Sequence, residues 1–454
     1  MKPNILFITI DSLRADKVFG NQKVTSIPNI DSLIKKGTYF SNAITTNQFT
    51  AQVLQSIFTS KFLLDNEEIK NYSTKDNQNS DTYLSILKKE GYYTCATCQE
   101  DVFIQGFKEK FDDINTSFKS EDNIYNGLQD KILRKLSELT QPWFYYIHLE
   151  DLHTPCIVPE KLQYLKLFER YEKNISEIDL FIKKILEKIE IDKTLIIITA
   201  DHGEYISPVD GSLKEITGVK TNIKKVVKKL IPNKMREQVH LKKQSLNREI
   251  HASQTNIPHE KRILSYKREM MDSVLFDDII HIPLILYGYS ITPNVVINQQ
   301  ICNIDIFPTV FDLLGIFNST KNNQGRSLMP LLKNLKFDSI PIYLTSQAIT
   351  NTLKMNITKD ETSGPLIGIR TDDFKYFRNY ADLKKNVHLY NLKNDPLEDN
   401  NIADEDEEIK KEMELHIQKI KENLTLSKSK NNKDEINENE IRRAKESLKK
   451  MGYI

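Results

Sequence analysis

Three short apolar runs constrain the fold more than anything else in the chain. NILFITI (Asn4–Ile10), WFYYIHL (Trp143–Leu149) and TLIIIT (Thr194–Thr199) contain no Asp, Glu, Lys or Arg, and each then gives way to a polar cluster. Runs this short and this continuously apolar are what a strand buried on both faces of a parallel sheet requires. The segments between them carry helical periodicity, so strand and helix alternate. The reading is α/β: a doubly wound, mainly parallel central sheet flanked by helices. In such sheets ligands bind outside the carboxyl ends of the strands. Asp11 follows the first run, EDLHTP with His153 follows the second, and Asp201-His202 follows the third. Alone, Asp11 reads equally well as a helix N-cap; three polar strand ends together point to a site.

Other elements follow in order. Ser26–Gly37 reads as a loop and a helix begun near Pro28 and ended by Gly37, and Thr38–Ile44 as a strand. Asn47–Ser60 reads as a helix with Phe49, Val53 and Ile57 on one face and Thr50 near its anion-favouring N-terminus. Helices are expected at 81–90, 123–140, 162–188 and 303–316, and strands at 92–98 and within HIPLILYG. The predicted catalytic domain covers 1–338 and includes a basic helical insertion at 205–272. Within it, residues 211–250 hold nine Lys and two Arg against three Glu. Its bland reading is a solvated excursion; its functional reading is a face that attracts anions. Residues 339–404, with short strands between turns, predict a small C-terminal antiparallel sheet subdomain. Residues 405–454 read as a charged helical tail with a low-complexity stretch, SKSKNNKDEINENE.

Composition excludes more than it identifies. A net charge of +1 from 64 basic and 63 acidic residues names no partner, and no nucleic acid is expected. Four cysteines in 454 residues make no disulfide framework, and Cys95 and Cys98, three apart in a strand, point to opposite faces. No secretory signal or transmembrane run is read, so a cytoplasmic protein is expected.

Two aspartates and a histidine at strand ends offer oxygen and imidazole donors to one divalent cation, best matched to Mn²⁺ or Zn²⁺, with Mg²⁺ or Ca²⁺ as less favoured choices. A hydroxyl at a helix N-terminus beside that ion would be acidified into a nucleophile. Thr50 fits, as do neighbouring hydroxyls, and spacing does not choose between them.

The chain resembles the sulfatase family of the alkaline phosphatase superfamily. PNILFITIDSLRAD, IPNIDSLIKKGTYFSNAIT, HLEDLHTP, TADHGE, LFDDIIHIPLILYG, NIDIFPTVFDLLGI, GRSLMPLL and LYNLKNDPLEDNNIAD resemble family landmarks in the family's order. The resemblance implies Asp11, Thr50, Asp201 and His202 as metal ligands and Thr50 as the nucleophile. It places His153 beside the transferred group, as anion donor or leaving-group acid, and Arg14 near the substrate.

Departures bear on the reaction. Sulfatases of this family carry Cys or Ser at the nucleophile, within C/S-x-P-x-R, and oxidise it to formylglycine. Here the stretch is Thr50-Ala51-Gln52-Val53-Leu54, and Ser12 stands where a second acidic ligand is usual. Threonine cannot give that aldehyde, but relatives such as the lipoteichoic acid synthases and phosphoethanolamine transferases use it to move phosphoryl-containing groups. The expectation is therefore a metal-dependent hydrolase or transferase of phosphate esters or phosphodiesters. Its substrate would be a small-molecule, glycan or lipid-linked anionic ester. A sulfuric ester hydrolase without formylglycine is the alternative, and a non-catalytic binding protein that kept the fold is the second.

Overall fold

The computed structural model describes residues 2–20, 23–63, 82–98, 107, 110–115, 123–206, 275–316, 323–346 and 365–422. The 205–272 insertion, but for residues 205 and 206, and the low-complexity stretch of the tail lie outside them.

Nine strands form the central sheet. They are β1 (Asn4–Ile10), β2 (Thr38–Ile44), β3 (Tyr93–Thr97), β4 (Asp113–Asn115), β5 (Trp143–Leu149), β6 (Thr194–Thr199), β7 (His281–Gly288), β8 (Val295–Ile297) and β9 (Ile301–Cys302). Their order is β4-β3-β5-β1-β6-β7-β2-β8, with β9 paired to β2. The three apolar runs are thus adjacent strands, β5-β1-β6, paired in parallel and buried along their whole length. The one reversal is β7, antiparallel to both β6 and β2. Its apolar run is as long as its neighbours', which shows that burial on two faces leaves strand direction undetermined.

Helices cover the sheet: α1 (Pro28–Lys36), α2 (Thr50–Thr59), α3 (Tyr83–Lys89), α4 (Leu128–Glu138), α5 (Leu167–Leu186), α6 (Asp277–Ile280), α7 (Ile306–Leu313) and α8 (Met329–Leu332). Two differ instructively from expectation. Helix α4 begins five residues later than predicted, because Gly127 enters a left-handed conformation (φ 87°) that ends the preceding turn. The 303–316 segment splits into a 3₁₀ turn, Asn303–Asp305, and α7, with Pro308 in the first turn, where a missing N–H costs no helical hydrogen bond.

A second, four-stranded antiparallel sheet follows: β10 (Ile342–Ser346), β11 (Leu366–Arg370), β12 (Phe374–Asn379) and β13 (His388–Asn391), in that order. A helix over residues 407–422, α9, packs Met413 and Ile417 into its core, so the first turns of the charged tail belong to this sheet. The junction between sheets is charged and buried. Asp277 of α6 takes Arg370 at 2.9 Å and Lys375 at 2.6 Å, and Lys375 also meets Glu398. Among the described residues no helix is long and apolar enough to cross a membrane.

Candidate metal centre and nucleophile

Strand register places the site. Thr9 of β1 lies beside His148 of β5 on one side and Thr199 of β6 on the other. Two residues on, where strand alternation returns to the same face, β1 yields Asp11 and β6 yields Asp201. Both carboxylates are buried, and Ser12 ties them together. Its backbone N–H donates to Asp201 Oδ1 (3.2 Å) and its hydroxyl to Asp11 Oδ1 (2.7 Å). Ser12 holds a left-handed backbone (φ 65°), a strain of about 1 kcal/mol for a residue with a Cβ, which persists because these bonds and others fix it. Among the others, Tyr171 of α5 donates its hydroxyl to Ser12 O and accepts from Arg14 N.

His202 follows Asp201 and turns back over it. Its Nδ1 lies 2.9 Å from Gly203 O, and since a carbonyl only accepts, Nδ1 carries the proton. The lone pair of Nε2 therefore faces inward, 3.4 Å from Asp201 Oδ2 and 3.9 Å from Asp11 Oδ1. That tautomer is the one a metal-ligating imidazole needs, held by a carbonyl as such ligands usually are.

Thr50 arrives on α2. The predicted start of its helix at Asn47 is in fact a turn: Asn47 Oδ1 accepts from Phe49 N, and α2 begins at Thr50 itself. The half-buried Thr50 hydroxyl lies 3.2 Å from His202 Nε2 and 3.5 Å from Asp11 Oδ2. The start of α2 thus brings the Thr50 hydroxyl to the Asp11 and His202 side chains. Helix α2 cannot shift easily, because it is buried on nearly all sides, not only along the predicted apolar face. Phe58 packs against Phe7, Tyr146 and Phe307 with ring centroids 5.4–6.3 Å apart.

The donor set fits a cation. Two ligands about 2.1 Å from one ion at the tetrahedral angle lie roughly 3.4 Å apart, and the separations above run from 3.2 to 3.9 Å. Asp201 Oδ2 is buried and accepts no hydrogen bond, an orphaned anionic oxygen that a metal ion would satisfy. Asp11 is buried as well, which works against its charge. A cation among these donors would offset that cost.

His153 sits at the exposed tip of the turn after β5. Its Nδ1–H donates to Thr154 O at 2.9 Å, leaving Nε2 for other work. Arg14 is the other residue expected near the substrate. It is buried, and its guanidinium is held by Asp278 at 2.6 Å and Asp16 at 2.8 Å, which keep it charged despite burial. With both carboxylates engaged it braces the frame of the site. That frame centres on α6. Ile279 O accepts from Gly203 N (2.7 Å), Ile280 O accepts from Thr45 N (2.9 Å) and Asp278 holds Arg14. One short segment thereby fastens all three ligand-bearing arms. Gly203 is required by it, since a Cβ there would lie 2.0 Å from Asp278 O.

One residue escaped sequence reasoning. His148, inside β5, brings its Nε2 to 3.5 Å from Asp11 Oδ2. Ligand atoms of Asp11, His148 and Asp201 all lie within 4.8 Å of one another. A single histidine in an otherwise apolar buried strand was the available signal, but without register its direction was undefined.

The fold carries, at its strand ends, a donor set that could hold a metal ion. The sulfatase family model matches residues 3–316, and the chain belongs to that family. A model described as N-sulphoglucosamine sulphohydrolase, C-terminal, matches residues 267–423. Arylsulfatase K of Danio rerio is 26% identical over 171 residues, which cover 36% of this chain and 30% of the relative. The curated relatives are matched over about a third of their own length or less. Phosphonate monoester hydrolase from Silicibacter pomeroyi superposes with a TM-score of 0.64 at 15% identity, covering 93% of this chain and 96% of that one. A structure described as in complex with its substrate D-glucosamine-2-N,6-O-disulfate superposes with a TM-score of 0.60 at 17% identity, covering 94% and 98%. At these identities the two structures speak to fold alone.

Proposed function

We propose that the protein is a metal-dependent hydrolase or transferase of phosphate esters or phosphodiesters, with Thr50 as nucleophile. The observation that carries this reading is the Thr50 hydroxyl at the start of α2, 3.2 Å from His202 Nε2 and 3.5 Å from Asp11 Oδ2. A divalent ion, Mn²⁺ or Zn²⁺ by the mixed carboxylate and imidazole donors, would be held by Asp11, Thr50, Asp201 and His202. It would acidify the threonine and offset charge on the transferred group. Thr50 Oγ1 attacks phosphorus as the bond to the leaving oxygen breaks, and the first backbone N–H groups of α2 orient the anion. His153, exposed and with Nε2 uncommitted, protonates the leaving oxygen. Water or a sugar hydroxyl then takes the group from Thr50.

The substrate class is an anionic ester, on a glycan or small molecule. The described bound substrate of one structural neighbour, a sulfated glucosamine, supports the glycan reading. Four cysteines, all buried and none in a disulfide, support a reducing, cytoplasmic setting. A sulfate ester is the second reading, favoured by the family match. Against it stands position 50, where threonine cannot yield an aldehyde.

The deciding experiment compares matched nitrophenyl phosphate, phosphodiester and sulfate esters with metal-loaded wild type and Thr50→Ala. Phosphoester turnover that is lost in Thr50→Ala supports the proposal. Sulfate turnover alone supports the second reading, and turnover of neither supports a binding protein on this fold.

A further inference from the structure

We propose that His148 is a further ligand of the divalent ion, supplying through Nε2 a donor in place of the acidic side chain that Ser12 does not provide. The inference rests on the reading that Asp11, Thr50, Asp201 and His202 hold one cation. His148 is the penultimate residue of β5 and is level with Thr9 in the register, so its side chain leaves the sheet on the same face as Asp11. Nε2 comes to 3.5 Å from Asp11 Oδ2, the spacing of two donors around one ion.

The decisive feature is that two buried polar atoms here make no hydrogen bond. The His148 side chain is 0% exposed and its Nε2 makes no hydrogen bond. Asp201 Oδ2 makes none either, and a carboxylate oxygen of Asp201 lies within 4.8 Å of a His148 ring nitrogen. Leaving a buried polar atom unmet costs about 1–3 kcal/mol, and two beside each other are a costly arrangement unless one group satisfies both. A cation does so. Tyr146 supports the assignment from behind: its hydroxyl lies 2.8 Å from His148 Nδ1, so an Nδ1–H donating to it leaves the Nε2 lone pair directed at the carboxylates. Ser12, meanwhile, spends its hydroxyl proton on Asp11 Oδ1. The resulting shell has two carboxylates, one hydroxyl and two imidazoles. Exchanging a carboxylate for an imidazole lowers its charge and shifts preference from Ca²⁺ and Mg²⁺ toward Zn²⁺.

X-ray absorption of the zinc-loaded full chain tests this without any assay of turnover. Imidazole scattering should count two histidines in wild type and one in either His148→Ala or His202→Ala. Competition against a chelator should show zinc affinity reduced at least ~10-fold in His148→Ala. One imidazole in wild type, unchanged in His148→Ala, overturns the proposal and leaves His148 as a neighbour of Asp11 only. Failure of wild type to bind zinc, manganese or magnesium overturns the underlying metal site as well, a distinct result. Should His148→Ala not fold, the wild-type count decides alone, two for and one against.

Discussion

Thr50 Oγ1 lies 3.2 Å from His202 Nε2, although the two residues are 152 positions apart. The proton on His202 Nδ1 is fixed by Gly203 O, so the nitrogen facing Thr50 is a lone-pair donor and not an acid. A hydroxyl and an imidazole lone pair at that distance, beside two buried carboxylates, suit joint coordination of one ion. Thr50→Ser should keep metal and measurable phosphoester turnover, whereas Thr50→Ala should keep the fold and lose turnover by roughly 10³-fold or more. Steady-state rates together with metal content check both.

His153 and Thr50 should separate by leaving group. An acid that protonates the departing oxygen matters little when that oxygen is a good leaving group, and much when it is an alkoxide. His153→Ala should therefore cost about 10²-fold or more with an alkyl phosphoester and far less with a nitrophenyl one. Equal losses on both would assign His153 to anion binding.

The latch on α6 predicts a stability effect. Removing Asp278 leaves the buried Arg14 with Asp16 as its one carboxylate partner, so Asp278→Ala should cost about 3 kcal/mol, within the range for breaking a buried pair. Gly203→Ala should do more to the metal site than to the core, because the new Cβ collides with the backbone at Asp278 and displaces the Asp201-His202 turn. Urea titration and zinc affinity, measured on both variants, distinguish the two effects.

Asp151 supplies a pH dependence away from the metal. Burial pushes its carboxyl up to about 6, only one oxygen being met, by Ile124 N–H. A carboxyl raised in the folded state stabilises most below its unfolded value, and that stability is lost as pH rises through about 6. Lowering pH from about 7.5 to about 5 should recover about 1 kcal/mol from this group. Asp151→Asn should remove that share and leave the similar contribution of Asp305, also raised to about 6 by burial. Thermal midpoints at both pH values provide the check.

Much of the site was legible because it sits at strand ends. The boundaries of β1, β5 and β6 follow from apolar runs alone, and parallel pairing then brings Asp11 and Asp201 together. What was not legible depends on register and direction. His148 could be placed on the metal face only once β5 was aligned to β1, and β7 only once its partners were known. Arg14 looked available because its partner Asp278 is 264 residues away, on an element that sequence gave no reason to place there. Thr50 stood among several hydroxyls until the Asn47 turn fixed where α2 begins.

The most direct measurement is intact-protein mass spectrometry after brief mixing of metal-loaded protein with an activated phosphodiester, quenched in acid and followed by peptide mapping. The account predicts a covalent phosphoryl-containing adduct on Thr50 that is absent in Thr50→Ala and without metal. Rapid turnover with no adduct on Thr50, or with the adduct on another residue, would contradict it.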